Sequence, residues 1–220
     1  MSFLGFGRVL VMTAVEAERE AVLRGLGAAG CAADVFVETG GVGVAATAAA
    51  TARLLALAED GFDALLSAGI AGGVTGRVAV GGTVVATSSI AADLGADSPD
   101  GFVSLDRLGF GRARLDTDPR LLAAATSALP HAVAGPVLTV STVTGTEAGV
   151  REVLARHPDA VAEAMEGFGV ATAAAQVGLP FGEVRTISNP VGPRDRAAWR
   201  IGDALDGLSE AFASLAKLTM

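Results

Sequence analysis

The chain has 220 residues, 51% of them apolar, and carries 24 acidic against 16 basic side chains for a formal charge of −8. With no stripe of Lys and Arg, that balance excludes a polyanion-binding protein, because phosphate-backbone affinity comes from clustered cations. A single cysteine, Cys31, and two histidines leave neither an internal disulfide nor a structural zinc set, which fits a reducing, cytoplasmic compartment.

Taken in chain order, Arg8 interrupts the apolar N-terminus MSFLGFGRVLVMTAV, and acidic residues follow where a signal-peptide cleavage site would lie. A first strand over 9–15 and a helix over 16–27 are expected instead. No run reaches the ~18 apolar residues of a membrane span, so a soluble protein without membrane contact is expected. The same alternation predicts a strand at 34–40, a helix at 44–59, and a strand at 62–69 that ends in a glycine turn. A strand at 81–90 follows, then an irregular stretch over about 91–114. Beyond it come a helix at 118–129, a strand at 135–142, helices at 146–156 and 166–178, a strand at 181–188, and a last helix at 195–217. His131 and His157 fall in helix-to-strand connections, where surface positions are expected. No linker divides the chain, so residues 1–220 read as a single α/β domain whose continuous apolar strands form a mostly parallel sheet covered on both faces.

In such sheets ligands bind beyond the carboxyl ends of strands. GVGVAA at 41–46, with Glu59 and Asp60 further on, has the outline of a dinucleotide fingerprint; in a chain with 29 glycines a tight turn explains it better. AGIAGG at 68–73 is either a nest of backbone amides or a turn. AVEAERE puts Glu16, Glu18 and Glu20 in a first helical turn, where the helix dipole favours acid without selecting among them. AMEGFGVA sets Glu166 beside Met165 at the head of an Ala-rich helix, as a site residue or merely an N-terminal acid.

In this order, AVEAE, SAGIAGG, MEG and RTISN resemble the nucleoside phosphorylase and nucleosidase family, most nearly its futalosine-hydrolysing branch in an alternative menaquinone pathway. The resemblance implies a three-layer α/β/α fold with a central, mostly parallel mixed sheet. It implies that Glu18 activates the attacking water, that Glu166 binds the ribose hydroxyls, that Met165 packs on the sugar, and that Gly69 and Ser188 lie in the substrate site. Asn189 stands where adenine-specific relatives carry Asp. Its amide offers one acceptor and two donors, which suits a 6-oxopurine such as hypoxanthine. Ser67 stands where the family's phosphorylases carry a phosphate-binding arginine, so water is the expected acceptor. Val143 or Thr144 of STVTGT would flank the base. Trp199 would line the 5′ pocket, with Arg194, Arg196 or Arg200 available to pair with a carboxylate or forming a solvated face.

The resulting expectation is a cofactor-free, metal-free purine nucleosidase acting on a small-molecule nucleoside. By family analogy it is a homo-oligomer, a dimer or dimer of dimers, with the segment 97–110 closing a neighbour's pocket. A methylthioadenosine/adenosylhomocysteine nucleosidase or another purine nucleosidase is the alternative within the class, and a non-catalytic nucleotide-binding protein the alternative outside it.

Overall fold

The computed structural model describes residues 2–31 and 33–218. In chain order the elements are β1 (Arg8–Thr13), α1 (Glu16–Ala28), β2 (Asp34–Thr39), α2 (Val44–Leu57), β3 (Ala64–Gly73) and β4 (Thr83–Ala91). They continue with β5 (Gly95–Ser98), β6 (Gly101–Ser104), α3 (Leu105–Leu108), β7 (Arg114–Asp116), α4 (Pro119–Ala128) and β8 (Val133–Thr139). The last are α5 (Glu147–Arg156), β9 (Ala162–Ala164), α6 (Gly167–Val177), β10 (Phe181–Pro190) and α7 (Ile201–Ala216).

Eight strands form one mixed sheet in the order β10-β4-β8-β9-β3-β1-β2, with β7 on β4. A direct β10–β3 pairing closes five of them into a ring. The pairs β1–β2, β1–β3, β3–β10, β4–β8 and β8–β9 are parallel, whereas β4–β10, β3–β9 and β4–β7 are antiparallel. Helices cover both faces, which is why the strands read as unbroken apolar runs. Val9, Val11, Leu66 and Val184 face Leu208 and Phe212 of α7, and Leu10, Met12 and Leu65 face Val170 and Ala174 of α6. The architecture is the expected three-layer α/β/α.

Several elements differ from the sequence reading. AGIAGG is not a turn but the second half of β3, extended because it pairs along its whole length with β10. The span 91–114 contains an antiparallel β5–β6 hairpin, the single turn α3 and the start of β7. β9, three residues long, has no periodicity of its own and exists through its pairing with β3 and β8. The last helix starts at Ile201 rather than 195, after a 3₁₀ turn at Arg196–Ala198 capped by the Asp195 carboxylate. His157 is half-buried at the end of α5, and burial holds its imidazole below the usual range.

Two irregularities position the candidate site. One edge of β3 is shared: β1 pairs with it only as far as Ser67, and β9 takes over at Gly72 and Gly73. Between them, among the described residues, β3 has no strand on that side, and the Ile70 amide turns to a side chain. In the β10–β3 ladder the register shifts between Ile187 and Asn189, a bulge at Ser188. A bulge re-aims side chains, and here both Ser188 and Asn189 face the same cavity.

Candidate active site

The cavity lies at the carboxyl ends of β1, β3 and β10 and encloses about 410 Å³. Of the residues named from sequence, Glu18, Val143, Thr144, Met165, Glu166, Ser188, Asn189 and Trp199 line it. Gly69 does not. It lies beneath the Glu18 carboxylate, where a Cβ would come within 2.5 Å of Glu18 Oε1 and 2.9 Å of Arg185 Nη1. The strand needs glycine there to let the two charges approach the backbone.

Glu18 is 4% exposed despite its place in the first turn of α1. The amides of Ala14 (2.8 Å) and Val15 (3.3 Å) donate to its Oε2, and that of Ile70 (2.9 Å) to its Oε1. The Ile70 N–H lies where β1 has stopped and β9 has not begun. The sheet's own gap therefore holds the carboxylate in place, and three backbone donors fix its orientation.

Glu166 sits at the N-cap of α6, with only Met165 between it and β9. Its Oε1 accepts from the Gly43 amide (3.4 Å), and its Oε2 from Arg185 Nη1 (3.1 Å) and the Met165 amide (3.3 Å). The Gly43 contact settles the GVGVAA stretch: the amide that would face a pyrophosphate in a dinucleotide site faces Glu166 instead. Glu59 and Asp60 lie on the surface.

Beneath the cavity lies Arg185, fully buried and absent from the sequence-derived candidates. Its Nε donates to Glu183 Oε1 (2.9 Å), its Nη1 to Glu166, and its Nη2 to Ser67 Oγ (2.9 Å). Burial alone would lower its pKa, but Glu183, Glu166 and Glu18 outweigh that and hold the guanidinium more firmly charged than usual. Burial pushes the Glu183 carboxyl up. Three carboxylates thus surround one guanidinium, and even with Glu183 protonated two face one. Charges at alternate positions inside an apolar strand, Glu183 and Arg185, were the available signal for this network.

At the other wall, Ser188 Oγ donates to Asn189 Oδ1 (2.8 Å) and Asn189 Nδ2 donates to the Pro190 carbonyl (3.0 Å). The amide is thereby oriented, with one N–H and one lone pair free to meet a ligand. Glu163 of β9 also lines this wall, again unforeseen, and accepts from the Thr144 amide (2.7 Å) and hydroxyl (2.5 Å). Near the mouth, the guanidiniums of Arg194 and Arg196 lie 5.9 Å from the centre of the Trp199 ring. Arg194 lines the cavity, whereas Arg200 is ion-paired with Asp203.

The family model described as the phosphorylase superfamily matches residues 27–219. A futalosine hydrolase of Streptomyces coelicolor is 49% identical over 94% of this chain and 94% of its own length. One of Acidothermus cellulolyticus is 47% identical over 94% of this chain and 89% of its own. In structure, a 5′-methylthioadenosine/S-adenosylhomocysteine nucleosidase of Neisseria meningitidis, solved with methylthio-immucillin-A, superimposes with a TM-score of 0.80. That match covers 96% of this chain and 99% of the other at 23% identity, a likeness of fold.

Proposed function

The chain belongs to the phosphorylase superfamily, and on that premise we propose that it hydrolyses the N-glycosidic bond of futalosine, releasing hypoxanthine and dehypoxanthinyl futalosine. The observation that carries this reading is that one cavity brings together the buried carboxylates of Glu18 and Glu166 and the oriented amide of Asn189. The curated relatives that match nearly the whole chain bear the same activity in their names.

Cleavage sends the bonding electron pair to the purine and leaves positive charge on the ribosyl ring. The excess of carboxylate over guanidinium beneath the cavity favours that charge. Glu18 takes a proton from water as the water oxygen bonds to C1′, and Glu166 accepts from the ribose hydroxyls with Met165 against the sugar. The free amide N–H of Asn189 donates to the base carbonyl; the purine leaves as an anion that takes its proton at N7 from solvent water, and the free lone pair of Asn189 accepts from that N–H. At the mouth, Trp199 offers a stacking face. Arg194, which has no carboxylate partner among the described residues, is the cation we assign to the carboxylate of the 5′ group. Ser67 is occupied with Arg185, which supports water rather than phosphate as the acceptor.

The same reading includes a cytoplasmic homo-oligomer. Val15 and Val42 are 43% and 56% exposed on the cavity wall, and Phe110, at the end of the 97–110 segment, is 81% exposed. Apolar groups so placed suit a neighbouring subunit that closes the pocket.

The test is to incubate purified protein with futalosine, inosine, methylthioadenosine and adenosine, with and without phosphate, and identify the base released. Hypoxanthine from futalosine, independent of phosphate, is expected. Adenine release would overturn the substrate, phosphate dependence the hydrolysis, and no release the enzymatic reading.

A further inference from the structure

Strand register places Glu163 and Asn189 on either side of Gly72. Glu163 pairs with Gly72 across β9–β3, and Asn189 pairs with the same Gly72 across β3–β10. The three lie in one row of the sheet, so the two side chains rise on the same face with only a glycine between them. A Cβ on Gly72 would lie 3.1 Å from Val191 Cγ2 and 3.4 Å from Asn189 Nδ2, and all three residues line the cavity. The glycine lets the Val191 and Asn189 side chains lie close against the strand at the cavity wall.

Glu163 is 6% exposed, and no cation pairs with it among the described residues. Its Oε1 accepts the Thr144 amide and its Oε2 the Thr144 hydroxyl. A threonine hydroxyl has one hydrogen. With that hydrogen committed to Glu163, Thr144 Oγ1 can show the cavity only lone pairs.

We infer that Glu163 is a specificity-determining residue: by fixing Thr144 Oγ1 as an acceptor in the cavity that also holds the Asn189 amide, it selects a base that carries a hydrogen on the ring nitrogen facing that oxygen. A 6-oxopurine carries such a hydrogen at N1, where a 6-aminopurine carries a lone pair that the acceptor would repel. The base preference then has a second determinant besides Asn189, on a different strand. This rests on the reading of the cavity as a purine nucleoside site. Glu163 acts through Thr144 and is a positioning residue.

Glu163→Gln provides the polarity reversal. The glutamine oxygen can keep the Thr144 amide, while its NH₂ must donate to Thr144 Oγ1 and so turn the hydroxyl hydrogen into the cavity. The measurements are calorimetric dissociation constants for free hypoxanthine and free adenine, with hypoxanthine release from futalosine recorded in parallel. Glu163→Gln should shrink the preference for hypoxanthine over adenine by ~10-fold or more, the worth of one mispaired buried hydrogen bond. Thr144→Val should shrink it similarly, the double variant no further than either single one, and Thr144→Ser should keep it. A merely structural role would weaken both bases together. If Glu163→Gln does not fold, the Thr144 variants decide. An unchanged preference in Glu163→Gln or Thr144→Val overturns the inference, as does wild-type protein that binds hypoxanthine no better than adenine. Failure of wild-type protein to release hypoxanthine, with the base preference intact and lost on substitution, would refute the proposed reaction and leave this inference standing.

Discussion

Gly69→Ala should separate the placement of Glu18 from the stability of the fold. A Cβ at this position would stand 2.5 Å from Glu18 Oε1, and ordinary contact begins at 3.4 Å, so the carboxylate must retreat by about 0.9 Å. Arg185 Nη1, 2.9 Å from the same Cβ, must shift as well; the carboxylate is the far end of a side chain and can move. What it cannot keep is the 2.9 Å bond from the Ile70 amide, one residue along the same strand. Losing one charge-assisted backbone bond costs ~1.5–3 kcal/mol, which in a chain of this length lowers Tm by several degrees without abolishing folding. Catalysis is less forgiving, since misplacing a reacting group by ~1 Å costs ~10²-fold in rate. Initial rates of hypoxanthine release at saturating futalosine, with thermal melts of the same samples, should show kcat down ~10²-fold in folded protein. Gly27→Ala is the control: a Cβ there meets nothing within 4 Å, and neither rate nor fold should suffer. Near-normal kcat in Gly69→Ala would refute the argument, because it would mean that turnover does not depend on where Glu18 sits.

Glu18→Gln should lower kcat by ~10² to 10⁴, measured well below its Tm; three amides bind both carboxylate oxygens, so the amide NH₂ must oppose at least one of them. Normal turnover would place water activation elsewhere. Asn189→Asp puts an oxygen where Nδ2 now donates to the Pro190 carbonyl; the ratio of kcat/KM for futalosine over an adenine nucleoside should fall ~10-fold or more, and an unchanged ratio would sink the donor–acceptor account. Trp199→Ala should raise KM for futalosine while sparing inosine, and equal damage to both would show that Trp199 packs the loop rather than the 5′ group. For pH, burial raises the folded-state pKa of Glu183 above its unfolded value. Its contribution is therefore fully present below the unfolded pKa and lost as pH rises through the folded one. The Tm of wild-type protein relative to Glu183→Gln should fall as pH increases from about 4.5; a difference flat in pH would show that Glu183 does not titrate across that range.

Much of this arrangement is legible in the chain because strand–helix alternation is a local signal. VLVMT before an acidic helix start, or FGEVRTIS after an Ala-rich helix, specifies an element without reference to the rest of the molecule. β9 could not be read so. AEA carries no period, and its three residues are a strand only because β3 ends beside it. The glycines of β3 mislead for a related reason: AGIAGG has turn composition, yet each glycine yields room to a particular neighbour, Gly69 to Glu18, Gly72 to Val191, and Gly73 to Ile187. Those neighbours are distant in sequence. Motif resemblance could pick out Glu18, Glu166 and Asn189 one by one, but not Arg185 or Glu163, whose importance lies in what they touch.

The Arg185 network is a poor device for stability. Placing a guanidinium and three carboxylates out of water costs more than their attraction returns unless the geometry is excellent, and apolar residues of like volume commonly serve a core as well or better. Among the described residues, Glu183 Oε2 is even left without a hydrogen-bond partner. The arrangement fits better as a fixed electrostatic field. β10 carries Glu183 and Arg185 to the underside of the cavity and then, through its bulge, delivers Ser188 and Asn189 to the cavity wall. On the proposed reading, one strand therefore bears both the charge that would hold Glu166 beneath the sugar and the amide that would meet the base. The glycosidic bond between them would break in a field whose net sign is negative at the sugar and whose hydrogen-bond polarity is set at the purine. Both are fixed by the register of β10 against β3, before any ligand arrives.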